Sequence, residues 1–262
     1  MDVALRVAYD GTRFRGLARQ PEGNTVEDAL LAALRHEGYV EGTLRTGSRT
    51  DAGVSAAMNV LKCRLDRPHL KGLVPALQGR LPKDVWVTGV APVASEWNVQ
   101  HAQDRTYHYL APRAGEDAAR LTGACAAFEG EHDFTAFARM EDRKATRPVT
   151  TCRVVEDGVF WRFEVTAPGF LWNQVRRMVD AALCVGQGRA DVADIEAALA
   201  DGAPHGSFGL APAEGLMLAE VRYDPPLAWA TEAGAVAPGR VAPAVQEAEV
   251  RRRLAGSLSA WS

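Results

Sequence analysis

Val3, Leu5, Val7 and Tyr9 alternate with Asp2, Ala4, Arg6 and Ala8. A period of two with one apolar face predicts a half-buried β-strand, and Asp10-Gly11 is a turn pair that ends it. From Thr25 the period changes: Val26, Leu30, Ala33 and Leu34 recur at helical spacing as far as Gly38, with Thr25 suited to cap the first turn and Gly38 to stop the last. Strand-like stretches follow near 40–46 and 57–65. A second helical pattern opens at Pro68 and runs through Leu70, Leu73, Val74 and Leu77, and Val85 to Val90 reads as another strand. The first half is therefore β-α-β-β-α-β.

The second half repeats that order, with a strand at 104–111, a helix at about 116–128 and strands at 149–156 and 159–167. Helices near 171–186 and 191–200 follow, then a last strand at about 216–224. Two split β-α-β units in tandem predict an α+β protein: two ferredoxin-like layers whose sheets join into one extended antiparallel platform with helices on one face. The expected divisions are an N-terminal unit over 1–103, a C-terminal unit over 104–225 and an extension over 226–262. That extension is rich in proline and alanine and ends in a helical stretch bearing Arg251, Arg252 and Arg253.

A net charge of −3 excludes attraction of the whole molecule to nucleic acid by its overall field, so any such site must be local. Arginine is in fact clustered, at 13, 15 and 19, at 45 and 49, at 139, 143 and 147 beside Lys144, and at 176 and 177. Each cluster alone reads as an ordinary solvated face. Cys63, Cys125, Cys152 and Cys184 are dispersed, without a C-x-x-C pair or a histidine at ligand spacing, which predicts small buried thiols rather than a metal site. No apolar run approaches the roughly 20 residues that span a bilayer. The expectation is a cytoplasmic protein with no membrane contact. There is no phosphate-binding loop and no dinucleotide fingerprint, so neither a metal nor a small-molecule cofactor is expected.

Three segments could carry chemistry. In Gly47-Ser48-Arg49-Thr50-Asp51-Ala52-Gly53-Val54, an extended backbone puts the Arg49 guanidinium and the Asp51 carboxylate on one face and Thr50 on the other. An isolated Asp-x-Gly is otherwise a surface turn. In Arg105-Thr106-Tyr107-His108-Tyr109, alternation groups Arg105, Tyr107 and Tyr109, and an aromatic ring there could stack on a base or simply pack. In Gly169 to Val179, Leu171, Val175, Met178 and Val179, continued by Ala182 and Leu183, form an apolar stripe with Arg176 at its margin, where its planar head can reach a carboxylate.

Together these segments resemble the tRNA pseudouridine synthases of the TruA type. Tyr9-Asp10-Gly11-Thr12-x-Phe14-x-Gly16, Gln20 and Thr25-Val26-Glu27 with Leu30 are similar to that family's opening. Ser48-Arg49-Thr50-Asp51-Ala52-Gly53-Val54-Ser55-Ala56 is similar to its catalytic motif, in a form associated with archaeal members. Arg105-Thr106-Tyr107, Gly130-Glu131-His132-Asp133-Phe134, Phe170-Leu171-Trp172 with Val175-Arg176, and Ala211-Pro212-x-x-Gly215-Leu216-x-Leu218 with Val221-x-Tyr223 complete six blocks in order. Leu17 stands where the family usually has an aromatic residue, and Asp180 where it usually has glycine.

The resemblance implies the pseudouridine synthase fold and isomerisation of uridine in tRNA. It assigns the essential carboxylate to Asp51, its charge partner to Arg176 and a ring stacked on the uracil to Tyr107. Leu216 would exclude water, and Arg49 would fill the gap left by a nucleotide swung out of its helix. Arg105, together with the loops of Arg13, Arg15 and Arg19 and of Arg143 and Lys144, would belong to the substrate-binding surface, the two loops holding phosphates. The implied partner is tRNA, gripped by a homodimer and modified on the 3′ side of the anticodon stem-loop. A synthase with another RNA target is the nearest competitor. A non-catalytic RNA-binding module would share the fold but would have no reason to hold Arg49-Thr50-Asp51. A hydrolase or phosphotransferase with an aspartate nucleophile would need metal-binding carboxylates beside Asp51.

Overall fold

The alternating segment at the start of the chain becomes β1 (Asp2–Tyr9), and its partners decide how much of it is buried. The computed structural model describes residues 1–67, 69–139, 145–203 and 208–230. It divides the chain into two units, Met1–Gln103 with the chain from Met217 on, and Asp104–Leu216. The architecture is α+β, with strand pairing that is mostly antiparallel.

In the first unit β1 lies between β3 (Ser55–Arg64) and β4 (Val85–Pro92), antiparallel to both, so that Leu5 faces Leu61 on one side and Val90 on the other. Ala4 and Ala8 are buried along with Val3, Leu5 and Val7, so β1 is covered on both faces rather than half-buried. The returning chain reaches this strand too: Ala230 bridges Val90 of β4, and next to it the Trp229 ring lies 5.3 Å from the Arg6 guanidinium. Helix α1 (Val26–Leu34) starts at a reciprocal cap, in which the Thr25 hydroxyl accepts from Asp28 N and the Asp28 carboxylate accepts from Thr25 N. Val26, Leu30, Ala33 and Leu34 are the buried stripe, and a left-handed Gly38 (φ 77°) follows. The strand expected at 40–46 shrinks to β2 (Arg45–Thr46), because Thr43 folds back on the Val40 carbonyl through both its N–H and its hydroxyl. Helix α2 occupies Leu73–Gln78; Pro68, expected to open it, lies outside the described residues.

The second unit holds the antiparallel sheet of β5 (Asp104–Pro112), β9 (Phe160–Ala167) and β8 (Thr151–Asp157), in the order β5-β9-β8. It also has helix α3 (Ala118–Ala127) and a short pair, β6 (Gly130–Asp133) with β7 (Thr146–Val149). Helices α4 (Gln174–Gly186) and α5 (Val192–Asp201) complete it. Helix α4 begins three residues later than the apolar pattern because Asn173 is left-handed (φ 65°), and its buried side carries Val175, Met178, Val179 and Ala182, with Leu183 half-exposed. Glu116 ties the unit together: its carboxylate accepts from Trp161 Nε1 at 3.0 Å, Gln187 Nε2 at 3.0 Å and Ala114 N at 2.8 Å. The β6–β7 pair carries no pattern in the sequence, since both strands are short, polar and largely exposed.

The last strand, β10 (Leu216–Arg222), differs most from expectation. The sequence places it in a C-terminal unit ending at 225, yet from Met217 it belongs to the first unit. It lies beside β3 in parallel, with Met217 opposite Ser55 and Leu218 opposite Ala56. The expected extension over 226–262 falls outside the described residues from 231 on, its terminal helix included.

On β5, His108 stands opposite Glu164, with its Nε2 3.9 Å from a carboxylate oxygen already held by Arg162, the other oxygen being held by Arg153. Burial first, then the charges of Arg162 and Arg153, push the imidazole from 6.5 down to about 4, with Asp157 opposing weakly. Between those values the unfolded chain binds more protons at this position than the folded one. Stability is therefore full above pH 6.5 and falls as pH drops toward 4. We expect His108→Gln to flatten the decline of Tm over that window; an unchanged slope in thermal unfolding from pH 7 to 4 would remove His108 as its cause.

Candidate active site

The connection from β2 to β3 carries Arg49 and Asp51, and a set of main-chain and side-chain bonds holds it in place. Gly47 N donates to Val60 O at 2.8 Å, Leu17 N donates to Thr50 O at 3.1 Å, and Val54 N donates to Asp51 O at 3.1 Å, closing a turn through the left-handed Gly53 (φ 83°). Thr50 is buried, while Arg49 is exposed and Asp51 half-buried. Under the loop, the Thr50 hydroxyl meets the Tyr9 hydroxyl at 2.7 Å, and Asn59 Nδ2 donates to Tyr9 Oη at 3.2 Å and to Ser48 O at 2.8 Å. An inward threonine between two outward side chains leaves the carboxylate at position 51 presented by a backbone with few ways to move. The chain from Gly11 to Arg19 packs alongside. Arg13 pairs with Asp84 at 3.2 Å and Arg19 with Asp28 at 3.0 Å, while Arg15 is exposed. Exposed pairs of this kind contribute about 0–1 kcal/mol, so either arginine can exchange its carboxylate for a phosphate at little cost.

In the second unit Tyr107 lies on β5, 7% exposed, with its ring edge-to-face with Phe170 at 5.3 Å. Arg105 is buried on the same strand, and its guanidinium donates to the Pro168 carbonyl, so it fixes the turn that carries Phe170. On α4 the Arg176 head is already oriented: Nε donates to Ala211 O at 2.7 Å, and one terminal nitrogen reaches Asn173 Oδ1 at 3.4 Å. Leu216 is buried at the start of β10. The structure thus brings Tyr107 to Phe170 and Arg176 to Ala211. Arg143 and Lys144 lie outside the described residues. Among the described residues no three histidine, cysteine or acidic side chains cluster as metal ligands, and no helix is long and apolar enough to cross a membrane.

A family model described as tRNA pseudouridine synthase matches residues 124–224. The tRNA pseudouridine synthase A of Pyrococcus horikoshii is 35% identical over 230 residues, covering 85% of each chain. That of Methanoculleus marisnigri is 38% identical over 231 residues, covering 86% of this chain and 84% of that one. The chain belongs to the tRNA pseudouridine synthase A family. Among solved structures, a Cbf5-Nop10-Gar1 complex aligns with 69% of this chain and 45% of that one, at 17% identity and a TM-score of 0.38, too slight a likeness to bear on function.

Leu17 and Asp180, the two positions expected to differ from the family, have structural roles. Leu17 is fully buried beneath the Arg49–Asp51 loop, whose Thr50 carbonyl accepts from its N–H. Asp180 accepts from Gly209 N at 2.5 Å and anchors the segment leading to Ala211. All four thiols are buried and free, and burial pushes Cys63 up to about 12, which leaves it inert at neutral pH. The sequence assigns no role to two further features. Tyr9 reads as a strand residue that opens the first family block and Asn59 only as a strand residue, although Asn59 is a polar residue in the middle of an otherwise apolar run, which is the signal that marks it. Trp172 is exposed, with the Arg139 guanidinium 4.2 Å over its ring and Arg139 N donating to its carbonyl at 2.9 Å.

Proposed function

We propose that this chain isomerises uridine to pseudouridine in tRNA, with Asp51 as the carboxylate that acts on the substrate. The observation that carries the reading is the presentation of Asp51. It is half-buried on a loop fixed at Ser48, Thr50 and Asp51, within a chain similar to the synthase A enzymes along most of its length. The reaction breaks the bond from C1′ to N1, turns the uracil and joins C5 to C1′. N1 gains a proton and C5 loses one, so atoms and electrons balance without a redox partner. Asp51 serves it by covalent attack or by proton removal.

The remaining roles follow the chemistry of each group. Arg176 supplies the positive charge that keeps a carboxylate ionised when water is excluded. Tyr107 offers a ring to the uracil, and Leu216 helps keep the site dry. Arg49, exposed beside the acid, fills the space vacated by a flipped nucleotide, whose extrusion costs a few kcal/mol. Arg13, Arg15 and Arg19, with Arg143 and Lys144, hold phosphates and set orientation. Arg105 supports the substrate surface through the turn that carries Phe170. The finer reading is a cytoplasmic homodimer acting on uridines at the 3′ side of the anticodon stem-loop.

Mapping pseudouridine by carbodiimide adducts in unmodified tRNA, with and without the protein, tests the proposal. New adducts in the anticodon stem-loop are expected; adducts only in another RNA favour the competing target, and none in any RNA refutes the activity. For Arg176→Ala we expect kcat to fall by about 100-fold, the scale of a misplaced reacting group. Arg176→Lys should not restore it, because lysine keeps the charge but lacks the planar fork that spans Ala211 and Asn173. Rescue by lysine would reduce the role to charge alone.

A further inference from the structure

Burying a hydroxyl or an amide costs free energy unless partners replace the water it leaves. Tyr9 and Asn59 are fully buried and Thr50 is 7% exposed, yet all three bring polar groups to one point beneath the loop that carries Asp51. The strand geometry there is also irregular. Val7 stands opposite Asn59 and Tyr9 opposite Ala56, so two steps along β1 match three along β3. A bulge of this kind re-aims side chains and recurs next to active sites.

We infer that Tyr9, Asn59 and Thr50 form a positioning network that fixes the attitude of Asp51 for the reaction, an inference that rests on the reading of Asp51 proposed above. The Tyr9 hydroxyl is the hub, bonded to Thr50 Oγ1 at 2.7 Å and accepting from Asn59 Nδ2 at 3.2 Å. Asn59 extends the network to the Ser48 carbonyl at 2.8 Å, so the residues on both sides of Arg49 are held from below. Thr50 is the inward residue of the alternating run, and fixing its side chain fixes the outward direction of its neighbours. Leu17 N on the Thr50 carbonyl removes the remaining freedom of the peptide that leads into Asp51. A purely apolar set of residues could fill the same volume, but it would leave the loop free to slide and rotate. The directional bonds are what hold the carboxylate at one position.

The test compares Tyr9→Phe, Thr50→Val and Thr50→Ser with Asp51→Asn. Tyr39→Phe is the control, since it deletes a hydroxyl of the same unit that accepts from Leu44 N at 3.2 Å and lies outside the loop. Tritium release from C5-labelled unmodified tRNA gives kcat and KM, and thermal unfolding gives Tm. We expect Tyr9→Phe and Thr50→Val to lower kcat by about 10- to 100-fold, the range that small misplacement of a reacting group produces, with KM within about twofold. Thr50→Ser, which keeps the hydroxyl, should stay within about threefold of wild type, and Tyr39→Phe should keep its kcat. Combining Tyr9→Phe with Thr50→Val should be no worse than Tyr9→Phe alone, because the bond that Thr50→Val cuts is one that Tyr9→Phe already removes. Wild-type kcat in Tyr9→Phe or Thr50→Val, with Asp51→Asn inactive, overturns the network. So does an equal loss of kcat in Tyr39→Phe, which would make the effect one of general stability. Turnover by Asp51→Asn overturns the assignment of the carboxylate itself and is read separately. If Tyr9→Phe does not fold, the contrast between Thr50→Val and Thr50→Ser decides.

Discussion

Asp51→Asn should fold, bind tRNA with near-native affinity and release no tritium from C5-labelled uridine. Asparagine matches aspartate in size and shape, and the turn at this position is closed by the backbone carbonyl of residue 51, which accepts from Val54 N, so the loop keeps its form. Tm should change little. The loss in kcat is expected to be roughly 10⁴-fold or more, the upper end of what a positioned acid or base contributes and less than some lost nucleophiles cost. Binding should survive because affinity for RNA comes chiefly from phosphate contacts made elsewhere. Measurable turnover in the purified variant would show that the carboxylate is dispensable. Loss of tRNA binding at native Tm would instead make Asp51 a substrate-holding group.

How much of this was legible in the sequence depends on whether the deciding force was local. Helix α1 was readable because Thr25 caps its own first turn and Val26, Leu30 and Leu34 lie on one stripe. At the Arg49–Asp51 loop the alternation was readable, since it turns Thr50 away from its two neighbours and Thr50 is the buried member. What failed was long-range. The run Leu216–Arg222 announces a strand, but nothing in its alternation says that it runs parallel to β3, about 160 residues earlier in the chain. The β6–β7 pair carries no apolar period at all. Arg105 shows the same limit on a smaller scale. Alternation grouped it with Tyr107 and Tyr109, and all three are buried, but a guanidinium reads as a surface group until its carbonyl partner at Pro168 is seen. Tyr9 and Asn59 lie 50 residues apart, so a network between them appears only once β1 and β3 are paired.

Gly11→Ala should cost both stability and activity. A Cβ at position 11 would lie 1.9 Å from the Val54 carbonyl oxygen and 2.4 Å from its carbon. Contacts that short involve backbone on both sides, so no rotamer change relieves them. One chain must move away from the other. The 3₁₀ turn Gly11–Arg13 is held there by Gly11 N donating to Ser55 Oγ at 3.1 Å and by Asp10, whose carboxylate accepts from Thr12 N at 3.0 Å. Val54 is the residue whose N–H closes the Asp51 turn. Relief of the clash therefore displaces either the start of the Gly11–Arg19 segment or the loop bearing the carboxylate. Overpacking in a dry, close-fitting place costs about 1–3 kcal/mol and sometimes more. The expected result is a lower midpoint in urea unfolding, with kcat reduced by about 100-fold in whatever folds, since a shift of roughly 1 Å is enough to lose that much. A Gly11→Ala protein with native midpoint and native kcat would mean that the two segments can part without disturbing Asp51. The close approach of Gly11 to Val54 would then have no part in placing the acid.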